Sequence, residues 1–162
     1  MASASTKDYI STLNNLIESC KDGEQGFQKA AEDVKNSNLQ SLFNEFARQR
    51  ANFAGELQVQ VAKLGGEPEK GGSVGGAMHR GWMDVKSAVA GKDDHAILEE
   101  AERGEDAAVR AYQDALSQDL PTDLRAIVEQ EYQLVQKAHN QIRALRDDTA
   151  DTGMRDTRAT RL

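Results

Sequence analysis

A Gly-Glu dipeptide recurs in the middle of two apolar-periodic segments, and this repetition constrains the fold more than any other feature of the chain. It stands as Gly23-Glu24 within residues 16–34 and as Gly104-Glu105 within residues 97–115. Superposed at a spacing of 81 residues (24 to 105), the segments coincide at Glu18/Glu99, Gly23/Gly104, Glu24/Glu105, Ala30/Ala111 and Asp33/Asp114. Leu16/Ile97, Ile17/Leu98 and Lys29/Arg110 are conservative pairs. In both copies the glutamate falls on the apolar stripe, where an uncompensated carboxylate is costly. Two related halves with internal glutamates are therefore expected, the arrangement of a metal site or of its remnant.

Alanine, glutamate, glutamine, leucine, aspartate and arginine dominate, aromatic residues make up 5%, and the two prolines are Pro68 and Pro121. That is a helical composition. A length of 162 residues suits one domain, or two small hairpins sharing one core. The net charge of −7 favours solubility and argues against nucleic acid as a partner. The N-terminus has no basic stretch followed by an apolar one, so a cytoplasmic location is expected. No apolar run nears the ~20 residues that span a bilayer. The amphipathic faces are needed for a core, which leaves no membrane-binding surface. The single Cys20 lies on a stripe and reads as a small buried hydrophobe.

Apolar positions spaced three and four apart predict a first helix over 6–35, with Tyr9, Leu13, Leu16, Ile17, Cys20, Glu24, Phe27, Ala31 and Val34 inward. Asn36-Ser37-Asn38 supplies a turn, with Ser37 or Asn38 as N-cap. A second helix follows to about Leu64, with Leu39, Leu42, Phe43, Phe46, Arg50, Phe53, Leu57 and Val61 inward. The Gly-rich stretch 65–76 is the clearest break and reads as a linker. It leads to a short helix over 77–91 carrying His79 and Trp82, with Trp82 expected to seal the open side of the bundle. Asp93 or Asp94 can cap a helix over 94–118, and Pro121 suits the first turn of a last helix ending near Arg146. Residues 147–162 lack periodicity and read as a disordered tail. Hairpin 6–64, crossover 65–91 and hairpin 94–146 make one domain over 1–148: an all-α, ferritin-like four-helix bundle with an extra short helix in the crossover.

Residues equidistant from a hairpin turn share a height, which places Glu24 opposite Gln49 and Glu105 near Glu131 and Tyr132. Converging hairpins would gather Glu24, Gln49 or Arg50, Glu105 and Glu131 at mid-bundle, with His139 further along the last helix. Di-iron carboxylate bundles need one glutamate from each of two helices and Glu-x-x-His from each of the other two. Here Glu24 and Glu105 supply the single glutamates, but the matching segments read Phe46-Ala-Arg-Gln49 and Glu131-Tyr-Gln-Leu134. Three readings stay open. Arg50, with or without Arg48, neutralises the glutamates, while Gln49, Tyr132 and His139 complete a buried polar network. Alternatively, Glu24, Glu105, Glu131 and His139 hold a single iron or manganese ion, since hard oxygens and imidazole suit those metals. In the third, the stripe is wrong by one register and the glutamates are solvated. Gly23, Gly26 and Gly104 fit either close helix approach or a π-bulge. No nucleophilic constellation or phosphate loop is present in the sequence.

The segments Lys21–Val34, Leu42–Arg50, His79-Arg-Gly-Trp82 and Glu99–Ala107 resemble a bacterial family of ferritin-like four-helix bundles known as domain of unknown function 2383. The resemblance covers about residues 5–148. It implies a ferritin-like bundle in a bacterial cytoplasm and no particular activity. Members of the wider ferritin-like group store iron, reduce oxygen or peroxide, or handle stress. The ferroxidase pattern fails here at both Glu-x-x-His positions. The expectation is a non-enzymatic, stress-associated bundle acting as a homodimer or through an unidentified protein partner. The alternative is an iron- or manganese-binding protein or weak oxidase using Glu24 and Glu105.

Overall fold

The computed structural model describes residues 5–69 and 93–159, with side chains to residue 149. Four helices account for nearly all of these: α1 (Thr6–Asp33), α2 (Ser37–Lys63), α3 (Asp94–Leu116) and α4 (Thr122–Ala159). No strand occurs among the described residues. The crossover from residue 70 to 92, with the expected short helix, His79 and Trp82, lies outside them.

Side-chain caps satisfy the orphan amides that begin each helix. Ser5 accepts from the Asp8 amide, and Asp8 returns a bond to the Ser5 amide, closing a capping box on α1. The N-cap of α2 is Asn36, whose Oδ1 accepts from Asn38 and Leu39. Ser37 and Asn38, the expected caps, are already inside or at the helix start. The three residues between α1 and α2 leave room for one capping side chain, and Asn36 is the first residue with extended backbone ahead of the helix. Asp93 caps α3 through the Ala96 amide at 2.8 Å. Pro121 stands just before α4, and its carbonyl accepts from the Arg125 amide. Arg125 in turn donates to the Leu116 and Gln118 carbonyls at the C-terminal end of α3, tightening the second turn.

The last helix does not stop near Arg146. It continues to Ala159, through the segment expected to be an unstructured tail. The 147–159 sequence lacks the apolar stripe by which a packed helix is recognised. A stripe marks a buried face rather than helix itself, so its absence did not exclude a helix there.

Each helix packs on its hairpin partner, α1 also packs on α3, and the α2–α4 contact is slight. Cys20 lies against Tyr112, and Asp94 accepts from the Lys35 and Asn36 amides. These contacts make α1 and α3 antiparallel and clamp the first turn to the start of the second hairpin. Two apolar clusters fill the ends of the bundle. Phe27, Phe43, Phe46, Ile97, Leu98 and Ile142 lie near the α1–α2 turn. Leu13, Ile17, Leu57, Val61, Val128 and Val135 lie toward the other end. A polar layer separates them. No helix among the described residues is long and apolar enough to cross a membrane.

The close of α2 is a Schellman motif: Gly65 takes φ +83°, its amide reaches the Ala62 carbonyl, and the Gly66 amide reaches Val61. Asn14 and Gln58 then strap residues 67–69 back onto the hairpin. A Cβ on Gly66 would meet two Ile10 side-chain atoms at 2.8 Å, whereas one on Gly55, inside α2, would meet nothing within 4 Å. Urea unfolding should therefore separate the two: Gly55→Ala gains about 0.5–1 kcal/mol, and Gly66→Ala loses about 1–3 kcal/mol by overpacking.

Candidate functional site

At mid-bundle the Arg50 guanidinium from α2 and the Glu105 carboxylate from α3 form a bidentate pair. Nη1–Oε1 is 2.6 Å and Nη2–Oε2 is 2.5 Å. Arg50 is 1% exposed and Glu105 fully buried. Fork-to-fork geometry matches two donors to two acceptors, so both charges are compensated without water. Burial pulls the Arg50 proton toward release, and the Glu105 carboxylate more than offsets it, holding the guanidinium above its usual range. The guanidinium carbon also lies 5.4 Å from the Phe27 ring centroid, whose face attracts a cation. Gly23 lies against this side chain: a Cβ there would come into van der Waals contact with Arg50 Cγ and Nη1, each at 3.4 Å. Both α1 and α3 stay α-helical through their glycines, so the glycine at 23 serves close approach rather than a π-bulge.

A second buried chain runs alongside. The Tyr112 hydroxyl on α3 donates to Glu131 Oε1 on α4 at 2.8 Å. Cys20 Sγ on α1 lies 3.2 Å from the same hydroxyl oxygen. Because the phenol has one proton and it is committed to Glu131, the thiol is the donor to Tyr112. All three groups are almost fully buried. Burial pushes the Cys20 thiol up to about 12, with the Glu131 carboxyl adding to the shift. Burial also raises Tyr112 well above its usual range. Glu131 is pushed up to about 9, chiefly by burial and then by the Glu56 carboxylate beside it, against the Tyr112 hydrogen bond and the Arg50 charge. At neutral pH it is a neutral acid. The Nε of Arg50 is buried without a hydrogen-bond partner.

The structure thus brings together Arg50, Glu105 and Glu131 and separates the other expected members. Glu24 is partly exposed, at 18%, and pairs with Lys21 at 3.8 Å on the flank of α1. The two repeat-related glutamates thus have different environments: Glu24 pairs with Lys21 of its own helix, and Glu105 takes the arginine that α2 supplies. His139 is drawn away from Glu131 to Asp106, with Nε2–Oδ1 at 2.6 Å in the α3–α4 groove. Tyr132 is half-buried: its ring stacks on Tyr112 with centroids 6.5 Å apart, and its hydroxyl accepts from Gln113 and Gln136. Gln49 is half-buried, and its side-chain carbonyl has no partner. Arg48 is exposed. Sequence reasoning missed Tyr112, although it lies seven residues from Glu105 on the same stripe. A lone phenol among alanines at the height of Glu131 was the available signal. Asp22 and Ser19, buried on α1, were missed as well.

The ferritin-like fold raises the question of a metal in this layer, and the residues do not fit one. The guanidinium lies in the layer and occupies both oxygens of Glu105. His139 belongs to Asp106. Among the described residues no three His, Cys, Asp or Glu side chains gather to hold an ion.

The chain is similar in fold to several solved structures. One is a two-domain protein from Anabaena variabilis containing dj-1/thij/pfpi-like and ferritin-like domains, with TM-score 0.74 and 13% identity over 93% of this chain. This chain spans only 39% of that protein. Another is the bacterioferritin-related protein of Bacteroides fragilis, a dodecameric thioferritin, with TM-score 0.74 and 16% identity over 93% of this chain and 90% of that one. A third is the DPS protein of Vibrio cholerae, a member of a broad superfamily of ferritin-like diiron-carboxylate proteins. Its TM-score is 0.67 and its identity 14%, over 90% of this chain and 97% of that one. At such identities the likeness is one of fold. No curated protein matches the chain. A family model matches residues 8–118, more than half of the sequence, and the chain belongs to the family described as Domain of unknown function (DUF2383).

Proposed function

We propose that this protein is a ferritin-like bundle without ferroxidase chemistry, in which the guanidinium of Arg50 supplies the central positive charge that di-iron bundles take from metal. The observation carrying this reading is the buried bidentate Arg50–Glu105 pair. A cation fixed at that place repels a metal ion and consumes the carboxylate best placed to bind one. The protein would then work through its surface, by self-association or with a protein partner. A homodimer is the simplest assembly. The dodecamer of the B. fragilis relative makes larger closed assemblies a second possibility, separable by light scattering. A stress-associated role rests on the resemblance to the wider ferritin-like group.

Elemental analysis after aerobic Fe(II) loading tests the proposal. Protein purified without chelators should hold less than about a tenth of an equivalent of iron, manganese or zinc, since a site missing its ligand set lacks the affinity to retain them. Stoichiometric iron in the wild type, lost in Glu105→Gln, would sink it and favour the metal-binding or weak-oxidase reading.

A further inference from the structure

We propose that Tyr112 is a redox-active tyrosine, oxidised by one electron through Tyr132 and releasing its phenolic proton through Glu131 toward Glu56. The inference stands whether or not the layer binds metal. Three features point to it. The Tyr112 proton is aimed at a buried carboxyl oxygen 2.8 Å away, while the Cys20 thiol holds the phenol oxygen from the other side. The ring stacks, at an interplanar angle of 15°, on a half-buried tyrosine that reaches the surface. The second oxygen of Glu131 is buried, and the exposed Glu56 carboxyl group stands within hydrogen-bonding reach of the Glu131 carboxyl.

The oxidant is a one-electron acceptor at the surface, of the class of peroxide-derived radicals. It takes an electron by way of the Tyr132 ring, which is refilled from Tyr112. Tyr132 is not where the hole settles, because its hydroxyl accepts from Gln113 and Gln136 and no carboxylate takes its proton in these bonds. At Tyr112 the O–H bond breaks and a new O–H forms at Glu131 Oε1. The proton already on the other Glu131 oxygen leaves to the Glu56 carboxylate and then to water. Tyr112, the oxidant and the Glu56 carboxylate thus become a Tyr112 phenoxyl, the reduced oxidant and protonated Glu56, with Glu131 unchanged in charge. The upward shift of Glu131 agrees with a relay that begins and ends protonated, rather than a terminal base.

Flash-quench oxidation with photogenerated tris-bipyridine ruthenium(III), read by transient absorption and freeze-quench electron paramagnetic resonance, tests the assignment. The wild type should give a long-lived tyrosyl radical. Tyr112→Phe should remove most of it, whereas Tyr9→Phe should leave it. Tyr132→Phe should slow its appearance, the Tyr132 ring being the route to the surface. Glu131→Gln keeps the hydrogen bond but cannot pass a proton on, so formation should slow by on the order of 10²-fold with a changed solvent hydrogen–deuterium effect. If Tyr112→Phe does not fold, fluorotyrosine placed at 112 should alter the hyperfine pattern. A long-lived radical that survives Tyr112→Phe, an unaltered hyperfine pattern, or a rate and isotope effect untouched by Glu131→Gln overturns the proposal.

Discussion

Glu105→Ala should cost about 3–5 kcal/mol, because it leaves the Arg50 guanidinium buried with no counter-charge. Arg50→Ala should cost a similar amount for the mirror reason. That is a large share of the ~5–15 kcal/mol that holds a domain folded. The double variant should behave differently. Arg50→Met with Glu105→Leu removes both charges together and fills the space with apolar atoms. It should recover most of the loss, since replacing a buried pair by packed hydrophobes is neutral or stabilising by about 1–4 kcal/mol in comparable cases. Urea unfolding of the wild type, Arg50→Met, Glu105→Leu and the double variant with a shared slope gives the coupling energy directly. If each single variant loses under about 1 kcal/mol, the pair behaves like an exposed one, and the burial described for Arg50 and Glu105 is wrong.

What the sequence discloses about this molecule follows from which forces are local. Periodicity marks α1 to α4 because burying one face of a helix demands it, and the duplication at 81 residues shows which helices are counterparts. The inward places of Arg50 and Glu105 were legible for the same reason, and Glu131 was placed beside them by its height in the hairpin. Which polar group pairs with which was not. Glu24 and Glu105 look equivalent along the chain, yet the arginine that distinguishes them comes from α2 and appears in neither repeat. His139 lies on the stripe by count, but Asp106, a surface residue of α3, competes for it across the hairpin. Helix extent beyond Arg146 was hidden because the stripe reports packing, and helix can continue where packing stops. Tyr112 was overlooked since an aromatic ring on an apolar stripe reads as core; its polar tip matters only through Glu131, nineteen residues on.

The pH dependence of stability should be governed in large part by Glu131, and replacing it should flatten the curve. Its carboxyl titrates near 4.5 when unperturbed and near 9 in the folded bundle. Between those values the unfolded chain has released the proton and the folded chain retains it. The unfolded state then binds fewer protons, so stability falls as pH rises across that interval and levels off above it. At about 1.4 kcal/mol per pH unit, the span from 4.5 to about 9 sets a ceiling on the order of 6 kcal/mol, reduced by relaxation and water entry around the group. Glu131→Gln cannot ionise. Its amide oxygen can still accept from Tyr112, and its NH2 can donate toward Glu56. The variant should match the wild type near pH 5 and exceed it by several kcal/mol near pH 8, read as urea midpoints across that range. Equal slopes for the two proteins would show that Glu131 is ionised in the fold. The Tyr112 proton would then pass to a true base at Oε1 rather than through a neutral acid, and the buried layer would carry a net negative charge that Arg50 alone could not cancel.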